Sequence, residues 1–388
     1  MKKGWEVKLL GELVNIKTGK LDSNAMVDGG KYPFFTCSRE IFAINDYAFD
    51  CEAILLAGNN ASGDFNVKHY KGKFNAYQRT YVITAKEENR ILYSYLYQQL
   101  TNHLKKFKEQ SLGANTKFLK IGMIQGMEIP LPPLQEQKQI VTILDSAFSA
   151  IAKAKANAEQ NLKNAKELFE SYLQGVFENK GDGWEEKTLG EACEMINRGV
   201  SPKYLEKDGL CVLNQKCIRD HEINFELARY HDSISKKVNP ERLIQVGDVL
   251  VNSTGTGTLG RVAMVRNIKN QATVDSHITI VRPKKELFEK VFFSYAMIYI
   301  EKELTESGEG ASGQTELSRT RLRDEFKICF PTSKSLQTEY GLKMDRLTSE
   351  TKKLESIYQK KIADLEELKK SLLQKAFNGE LKTESACA

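Results

Sequence analysis

The chain has 388 residues, 41% apolar and 28% charged, enough for two domains with real cores and too apolar for a disordered polymer. A net charge of +6 is too modest for a protein that grips DNA unaided through many phosphates. Apolar runs stay short, as at Ala53–Leu56 and Val249–Val251, and the charged start Met1-Lys2-Lys3-Gly4-Trp5-Glu6 lacks a signal-peptide core, so no spanning helix is expected and a cytoplasmic location is predicted.

The first element in chain order is the nonapeptide Gly4-Trp5-Glu6-Val7-Lys8-Leu9-Leu10-Gly11-Glu12. It opens a strand-rich region, residues 1–133, with 18 basic and 13 acidic side chains (net +5). Within it Ile54-Leu55-Leu56-Ala57 leads into the polar loop Gly58-Asn59-Asn60-Ala61-Ser62-Gly63. Phe65-Asn66-Val67, a basic turn Lys68-His69-Tyr70-Lys71-Gly72-Lys73 and Phe74-Asn75-Ala76-Tyr77-Gln78-Arg79-Thr80-Tyr81-Val82 follow. Asn, Gln and Arg pair bidentately with base edges, and interleaved Lys suits phosphate. Asn59, Asn60, Gln78 and Arg79 are therefore candidate base readers, with Lys73 and Lys117 as further candidate DNA contacts. A plain polar surface loop accounts for the same residues without DNA.

The region closes at Ile129-Pro130-Leu131-Pro132-Pro133, where proline stops a helix and then suits the start of a new one. Apolar residues next fall at Ile140, Ile143/Leu144, Ala147/Phe148, Ile151, Ala154, Ala158, Leu162, Ala165, Leu168/Phe169, Tyr172/Leu173 and Val176/Phe177. Gaps of three and four alternate, which makes one stripe down a long helix within residues 134–180. No Gly or Pro interrupts residues 138–174.

The order then repeats. Gly183-Trp184-Glu185-Glu186-Lys187-Thr188-Leu189-Gly190-Glu191 copies the first nonapeptide, and the two hold the only tryptophans, 179 residues apart. Residues 181–333 form a second strand-rich region, with 22 basic and 23 acidic side chains (net −1). Val249-Leu250-Val251, a loop Asn252-Ser253-Thr254-Gly255-Thr256-Gly257-Thr258-Leu259-Gly260 and Arg261-Val262-Ala263-Met264-Val265 read as strand, glycine loop, strand. The loop formally fits G-x-G-x-x-G, but a dinucleotide site needs a helix directly after the glycines. None is predicted before about residue 286, so a hairpin loop is the better reading. Ser253, Thr254, Thr256, Arg261 and Gln314 are the candidate DNA contacts of this region. The competing reading for Arg79 and Arg261 is a bracing role, paired with acidic neighbours such as Asp64 or Asp248.

Phe330-Pro331-Thr332-Ser333 ends the second region, and residues 334–388 carry a second long helix. Its stripe runs Leu347, Thr351 (the weak member), Leu354, Tyr358, Ile362, Leu365, Leu368, Leu372 and Ala376. Ser171-Tyr172-Leu173-Gln174-Gly175-Val176-Phe177 and Ser371-Leu372-Leu373-Gln374-Lys375-Ala376-Phe377 close the two halves, offset by 200 residues. Two repeated pairs in the same order imply an internal duplication. A helix of ~40 residues spans about 60 Å, and its stripe must be buried on something. The other long helix is the predicted partner, with Ile151, Leu162, Leu168, Leu354, Leu365 and Leu372 in the seam; packing of each helix on its own domain is the alternative. The predicted fold class is α+β: two globular domains separated by an antiparallel two-helix coiled coil, with an internal pseudo-twofold repeat.

Catalytic signatures are missing. The seven cysteines include no C-x-x-C pair and read as reduced structural thiols, and no two of the five histidines share metal-ligand spacing on a helix, so no metal is expected. The only Pro-Pro, Leu131-Pro132-Pro133-Leu134, lacks the polar and aromatic neighbours of an adenine-methyltransferase tetrad. Gly19-Lys20-Leu21 and Gly72-Lys73-Phe74 both fail as phosphate loops at the hydroxyl position. No cofactor is expected, and the chain reads as one built to bind and to space.

The arrangement resembles the specificity subunits of type I restriction–modification systems over nearly its whole length. The resemblance rests on Gly-Trp-Glu-x-x-x-Leu-Gly-Glu opening each half and on Ile129-Pro130-Leu131-Pro132-Pro133-Leu134-Gln135-Glu136-Gln137, of which Pro331-Thr332-Ser333-Lys334-Ser335-Leu336-Gln337 keeps one Pro and the Leu-Gln. Gly247-Asp248-Val249-Leu250-Val251 with Leu259-Gly260-Arg261 also fits, as do Ser111–Leu119 and Gly310–Leu317 before the helices. The family implies a non-enzymatic subunit whose two target recognition domains each read one half of a bipartite site in double-stranded DNA. It implies that the helix pair fixes the unread gap. Two adenine-methyltransferase subunits would be partners, and nuclease–translocase subunits could join; S-adenosylmethionine, ATP and magnesium would act on those partners. A cytoplasmic coiled-coil scaffold with protein-binding globular ends is the alternative function.

Overall fold

The computed structural model describes Lys2, residues 4–308 and residues 316–381. The chain divides into two compact units, one of residues 1–159 and 360–388, the other of residues 160–359. Both mix helix and sheet.

In the first unit, β1 (Glu6–Leu9) passes through the one-turn helix α1 (Leu10–Leu13) into β2 (Val14–Thr18). Strands β3 (Tyr32–Phe35), β4 (Phe42–Ile44), β5 (Phe49–Ala57), β6 (Asn59–Asn60), β7 (Val67–Ala76) and β8 (Thr80–Ala85) follow. The order β2-β8-β5-β7-β3-β4 makes a six-stranded sheet. Helix α2 (Tyr93–Gln110) buries Tyr95, Leu96, Leu100 and Phe107 in one core with Ile54, Leu56 and Ile83 of the sheet. Strand β9 (Lys117–Phe118), helix α3 (Ile121–Gln125), strand β10 (Glu128–Leu131, paired with β1) and helix α4 (Leu134–Glu178) complete the sequence of elements.

One local expectation fails here. Lys68–Lys73 is not a basic turn but the middle of β7, paired from Leu55↔Lys68 to Asp50↔Lys73. The nine-residue β5 offers a full-length partner, and backbone pairing along it outweighs the local preference of a Lys- and Gly-containing stretch.

In the second unit, β11 (Trp184–Thr188), α5 (Leu189–Ala192) and β12 (Cys193–Arg198) repeat the opening. Strands β13 (Tyr204–Leu205), β14 (Leu210–Leu213), β15 (Ile218–Arg219), β16 (Glu222–Ile223), β17 (Arg229–His231), β18 (Val249–Asn252), β19 (Val262–Met264), β20 (Ala272–Val274) and β21 (Ile278–Pro283) follow. They form four-stranded sheets in the orders β12-β21-β18-β19 and β13-β17-β14-β20, with β15-β16 a hairpin. Helices α6 (Lys290–Tyr299), α7 (Glu301–Glu306) and α8 (Arg319–Asp324), strand β22 (Lys327–Pro331, paired with β11) and helix α9 (Lys334–Asn378) end the chain.

The repeated peptides now have physical roles. In the nonapeptides, Leu10 and Leu189 are fully buried, and their amides donate to the carbonyls of Met127 (2.7 Å) and Phe326 (2.9 Å). A Cβ on Gly11 or Gly190 would stand 3.0 Å from Gln125 Cβ or 2.8 Å from Arg323 Cγ, so the glycines admit a close neighbour. Glu12 and Glu191 accept from the amides of Leu9 (3.2 Å) and Thr188 (2.9 Å), satisfying a helix-start donor.

At the start of each long helix a glutamine is wholly buried. Gln137 Oε1 accepts from the Leu92 amide, and its Nε2 donates to the carbonyls of Arg90 and Pro132, all at 2.9 Å. Gln337 repeats this with the Glu289 amide (2.7 Å) and the carbonyls of Leu287 (2.9 Å) and Pro331 (2.8 Å). Gln337 therefore stands where Gln137 stands, although its Leu336-Gln337 looks like Leu134-Gln135 in sequence. At the other end, Leu173, Val176 and Phe177 of α4 are buried in the core of the second unit. Leu373, Ala376 and Phe377 of α9 are buried in that of the first. Phe177 stacks on Tyr299 (4.8 Å between ring centres), and Phe377 meets Tyr95 edge-on (5.8 Å).

The two long helices run antiparallel within each unit. In the first, Lys155 pairs with Glu366 (2.6 Å) and the Lys369 ammonium lies 5.1 Å from the Phe148 ring. In the second, the Lys343 ammonium lies 4.7 Å from the Tyr172 ring. The predicted seam needs two corrections. Ile151 is buried and Leu162, Leu365 and Leu372 are half-buried, but Leu168 (52% exposed) and Leu354 (37% exposed) face out. The buried positions recur every seven residues, Leu144, Ile151, Ala158 and Ala165 in α4 and Met344 and Thr351 in α9, and Leu168 and Leu354 each fall three residues after one of them, off that line. Half-buried Phe169 and buried Thr351, the expected weak member, lie inward instead. Among the described residues no cysteines are paired, and no helix is long and apolar enough to cross a membrane.

Replacing Gln137 or Gln337 by Leu strands one buried amide and two carbonyls. Each orphaned group costs about 1–3 kcal/mol, so either variant should melt well below the parent by calorimetry. A melting point unchanged in both would show that the glutamines do not hold the helix starts.

Candidate nucleic-acid interface

In each unit a polar loop leaves a central strand (β5 or β18) and returns along the next (β7 or β19), and the same hydrogen bonds hold both loops. The amides of Gly58 and Ser253 donate to the carbonyls of Arg79 (2.9 Å) and His277 (2.8 Å). The carbonyls of Gly58 and Ser253 accept from the amides of Leu119 and Leu317, both at 2.9 Å. The amides of Ala57 and Asn252 donate to the carbonyls of Asn66 and Arg261, again at 2.9 Å. Parallel bridges Leu21↔Tyr77 and Val200↔Asp275 fix the neighbouring turn in the same way. Gly58–Asn66 and Ser253–Arg261 are therefore equivalent nine-residue loops. The equivalence pairs Arg79 with His277 and Asn66 with Arg261.

In the first unit the loop sits beside a second polar segment, because β6 pairs with β9 through Asn59↔Phe118 and Asn60↔Lys117. Lys117 and Lys108 both crowd Gly63, with side-chain carbons 3.2 and 3.3 Å from where its Cβ would be. Asn59 is half-exposed, and its amide has no hydrogen bond among the described residues. Asn60 is spent differently. Its Oδ1 accepts from the Ser62 amide and hydroxyl (2.9 Å each) and the Asp64 amide (3.1 Å), so it cannot also pair bidentately with adenine. Gln78 is exposed and donates to Asp22 Oδ1 at 3.0 Å. Arg79 is exposed and makes no ion pair among the described residues. Lys73 is exposed in β7, and its described contact is the Tyr47 ring, 4.5 Å away, rather than the loop; a hydrogen bond to Tyr47 raises its pKa.

The acid proposed to brace Arg79 has another partner: Asp64 pairs with Arg39 at 2.7 Å, which lowers its pKa. Half-buried Lys68 donates to the Ser38 carbonyl and to Asn66 Oδ1 (2.8 Å), tying residues 36–40 to the base of the loop; burial lowers its pKa.

In the second unit, Ser253 must be removed from the list of base contacts. It is fully buried, with its hydroxyl 2.5 Å from Thr279 Oγ1. Thr254 is half-exposed and is joined to Gln215 and His277. Thr256 is exposed at the loop tip. Arg261 is half-exposed, and its guanidinium donates to the Gly257 carbonyl (2.8 Å) within its own loop. Asp248, the acid proposed to brace it, instead holds Arg282 in a buried pair (2.7 and 2.8 Å). Gln314 lies outside the described residues. Asp275, buried below His277, has its pKa raised by burial while the His277 amide donates to it at 3.0 Å.

Sequence reasoning missed His277, Gln215, Lys108 and Arg39. Only the last two carry a charge that could have drawn attention; the first two emerge from pairing the loops node by node. Among the described residues no His, Cys, Asp and Glu cluster could hold a metal ion.

A family profile, "Type I restriction modification DNA specificity domain", matches residues 2–163 and again 181–363. The EcoDI specificity subunit of Escherichia coli is 44% identical over 156 residues, 40% of this chain and 34% of that one. This chain thus spans about a third of the EcoDI subunit. The MjaVIII specificity subunit of Methanocaldococcus jannaschii is 24% identical over 331 residues, 78% of this chain and 76% of its own. Two solved structures share the fold. One, from work on complex assembly and conformational transition of the type I R-M system, has TM-score 0.75, 19% identity and coverage of 98% and 99%. The HsdS subunit from Thermoanaerobacter tengcongensis has TM-score 0.60, 19% identity and coverage of 98% of both chains.

Asn60→Ala removes three hydrogen bonds that shape the first loop. Hydrogen exchange at the Ser62 and Asp64 amides should quicken about tenfold, the equivalent of ~1.4 kcal/mol, while the buried strands exchange as before. Unchanged protection at both amides would mean that Asn60 does not order the loop.

Proposed function

We propose that this chain, which belongs to the type I restriction modification DNA specificity family, binds double-stranded DNA as a cytoplasmic, non-catalytic subunit. Each repeated domain reads one half of a bipartite target. Two adenine-methyltransferase subunits dock on the chain, nuclease–translocase subunits join them, and the two long helices set the unread gap. The observation that carries this reading is the pair of equivalent nine-residue loops, held by the same main-chain bonds but bearing different polar side chains. A rigid frame displaying variable polar loops suits the reading of two different half-sites.

In the first domain Arg79 and Asn59 read bases, Gln78 and the amide nitrogen of Asn60 assist, and Lys73 and Lys117 contact phosphate. In the second, Thr254, Thr256, Arg261 and Gln314 contact DNA. Arg79→Ala, assembled with the methyltransferase, should relax one base position in one half-site, since a lost bidentate guanine contact costs ~1–3 kcal/mol. Lys117→Ala should weaken all sequences alike and flatten the salt dependence by about one unit of slope. Methylation mapping at two salt concentrations checks both; loss spread evenly over both half-sites in Arg79→Ala would withdraw the base contact.

Gln137 to Phe177 and Gln337 to Phe377 are both 40 residues apart. Matched seven-residue insertions in α4, between Ala152 and Ala165, and in α9 lengthen each helix by ~10.5 Å. With ~3.4 Å per base pair, the gap should grow by about three base pairs and the half-sites should stay the same. Methylation at an unaltered gap would remove the ruler role.

A further inference from the structure

We infer that His277 is the base-reading residue of the second domain, offering one hydrogen-bond donor to a purine N7 in the major groove. This rests on the DNA-reading role proposed above and goes beyond it, because neither His277 nor Gln215 was a candidate from sequence.

Two independent observations carry the inference. The first is position. His277 occupies the place of Arg79, since each supplies the carbonyl that receives the loop's first amide and each directly precedes a strand, β21 or β8. Both side chains are exposed, whereas Arg261 matches Asn66 at the loop's base and folds back on the Gly257 carbonyl.

The second is a relay that fixes the ring. Gln215 Nε2 donates to the Thr254 hydroxyl oxygen (2.6 Å) and to the Thr254 carbonyl (2.8 Å). The Thr254 hydroxyl lies 2.7 Å from His277 Nδ1. Among the described residues Nδ1 is the one acceptor within reach of the hydroxyl's proton, so the hydroxyl donates to it, and a neutral ring then carries its own proton on Nε2. Nε2–H is thus the donor left for a ligand. In the major groove both adenine and guanine present N7 as an acceptor near the edge of the pair, where a pyrimidine offers only C5–H or the thymine methyl; thymine O4 lies toward the middle of the pair. A lone donor held over the N7 position tells purine from pyrimidine but not A from G. The second half-site should therefore hold a position read as either purine, where the Arg79 fork favours guanine. Gln215 and Thr254 are positioning residues that act through the ring.

The test uses the full chain and a library of randomised DNA duplexes, with the parent, His277→Ala, Arg79→Ala and Arg261→Ala each selecting from it. The parent should select a bipartite sequence. His277→Ala should relax one purine position by about fivefold to tenfold, in the half that Arg79→Ala leaves intact. A duplex with 7-deazapurine at that position should bind the parent about as weakly as the natural duplex binds His277→Ala, with no further loss in the variant. Gln215→Leu should move the nitrogen NMR shifts of the His277 ring away from the Nε2–H form. If the parent selects nothing, the DNA-reading role itself fails. If the parent selects a site that His277→Ala leaves unchanged or weakens uniformly, or if 7-deazapurine has no effect on the parent, the assignment to His277 is overturned while the broader reading stands.

Discussion

Each core is closed by an aromatic side chain that arrives at the far end of a 45-residue helix. Phe177 ends α4 and Phe377 ends α9, and each is buried among aromatic neighbours of the unit in which the other helix begins. The helix starts are pinned as firmly, by Gln137 and Gln337. Pin and plug are 40 residues apart in both helices, so a change of length in one helix that the other does not match would pull a phenylalanine out of its core or twist a glutamine off its carbonyls. Burying such a ring is worth ~3–5 kcal/mol against truncation, comparable to a large part of a domain's net stability. The length of the helices is thereby held by packing and not merely by sequence. The same topology makes the first core depend on Leu373, Ala376 and Phe377, which places many of its contacts at long sequence separation.

On that frame the two loops are hung by main-chain bonds. Amides and carbonyls at the nodes do not depend on side-chain identity, so Gly58 and Ser253, or Arg79 and His277, hold equivalent places with unrelated chemistry. This is how a duplicated fold can present two different surfaces at no cost to its cores. Ser253, chosen for its hydroxyl, is structural because its side chain is buried against Thr279, whereas Arg79 and His277 keep exposed side chains at their nodes.

The long helices, their starts and the duplication were legible because each leaves a periodic or repeated trace: the 3.6-residue stripe, the paired nonapeptides and the 200-residue offset. Helix α2 was equally legible in principle, with Tyr93, Leu96, Tyr97, Leu100, Leu104 and Phe107 at helical spacing, yet it was absorbed into a region read as strand-rich. The basic turn at Lys68–Lys73 failed because local composition says nothing of a long strand waiting to pair. At the candidate interface, residue chemistry singled out Arg79 and Asn59, which the structure leaves exposed and half-exposed, but could not see that Asn60 is occupied by its own loop. Nor could it pair Arg79 with His277, since the loops share length and hydrogen bonds but almost no residues. Leu168 shows the limit of the stripe itself: spacing alone does not say whether it or the adjacent Phe169 turns inward.

The two interfaces also differ in charge. Around the first loop stand Lys108, Lys117, Arg79 and Arg39, with Asp64 largely neutralised by Arg39. The second loop carries Arg261, and Arg198 beside it at Leu317 is paired with Glu316; Thr305 of α7 packs against Gly260, and that helix carries Glu301, Glu303 and Glu306 against a single Lys302. Phosphate attraction falls off within a Debye length of about 10 Å at 0.1 M salt, so charges this close to each loop decide its local grip. On the proposed reading the first domain supplies most of the electrostatic hold and the second contributes discrimination with little of it. A partner that covers the second half-site with basic residues would restore the balance. Affinity would then belong to the assembly, while sequence choice stays with this chain.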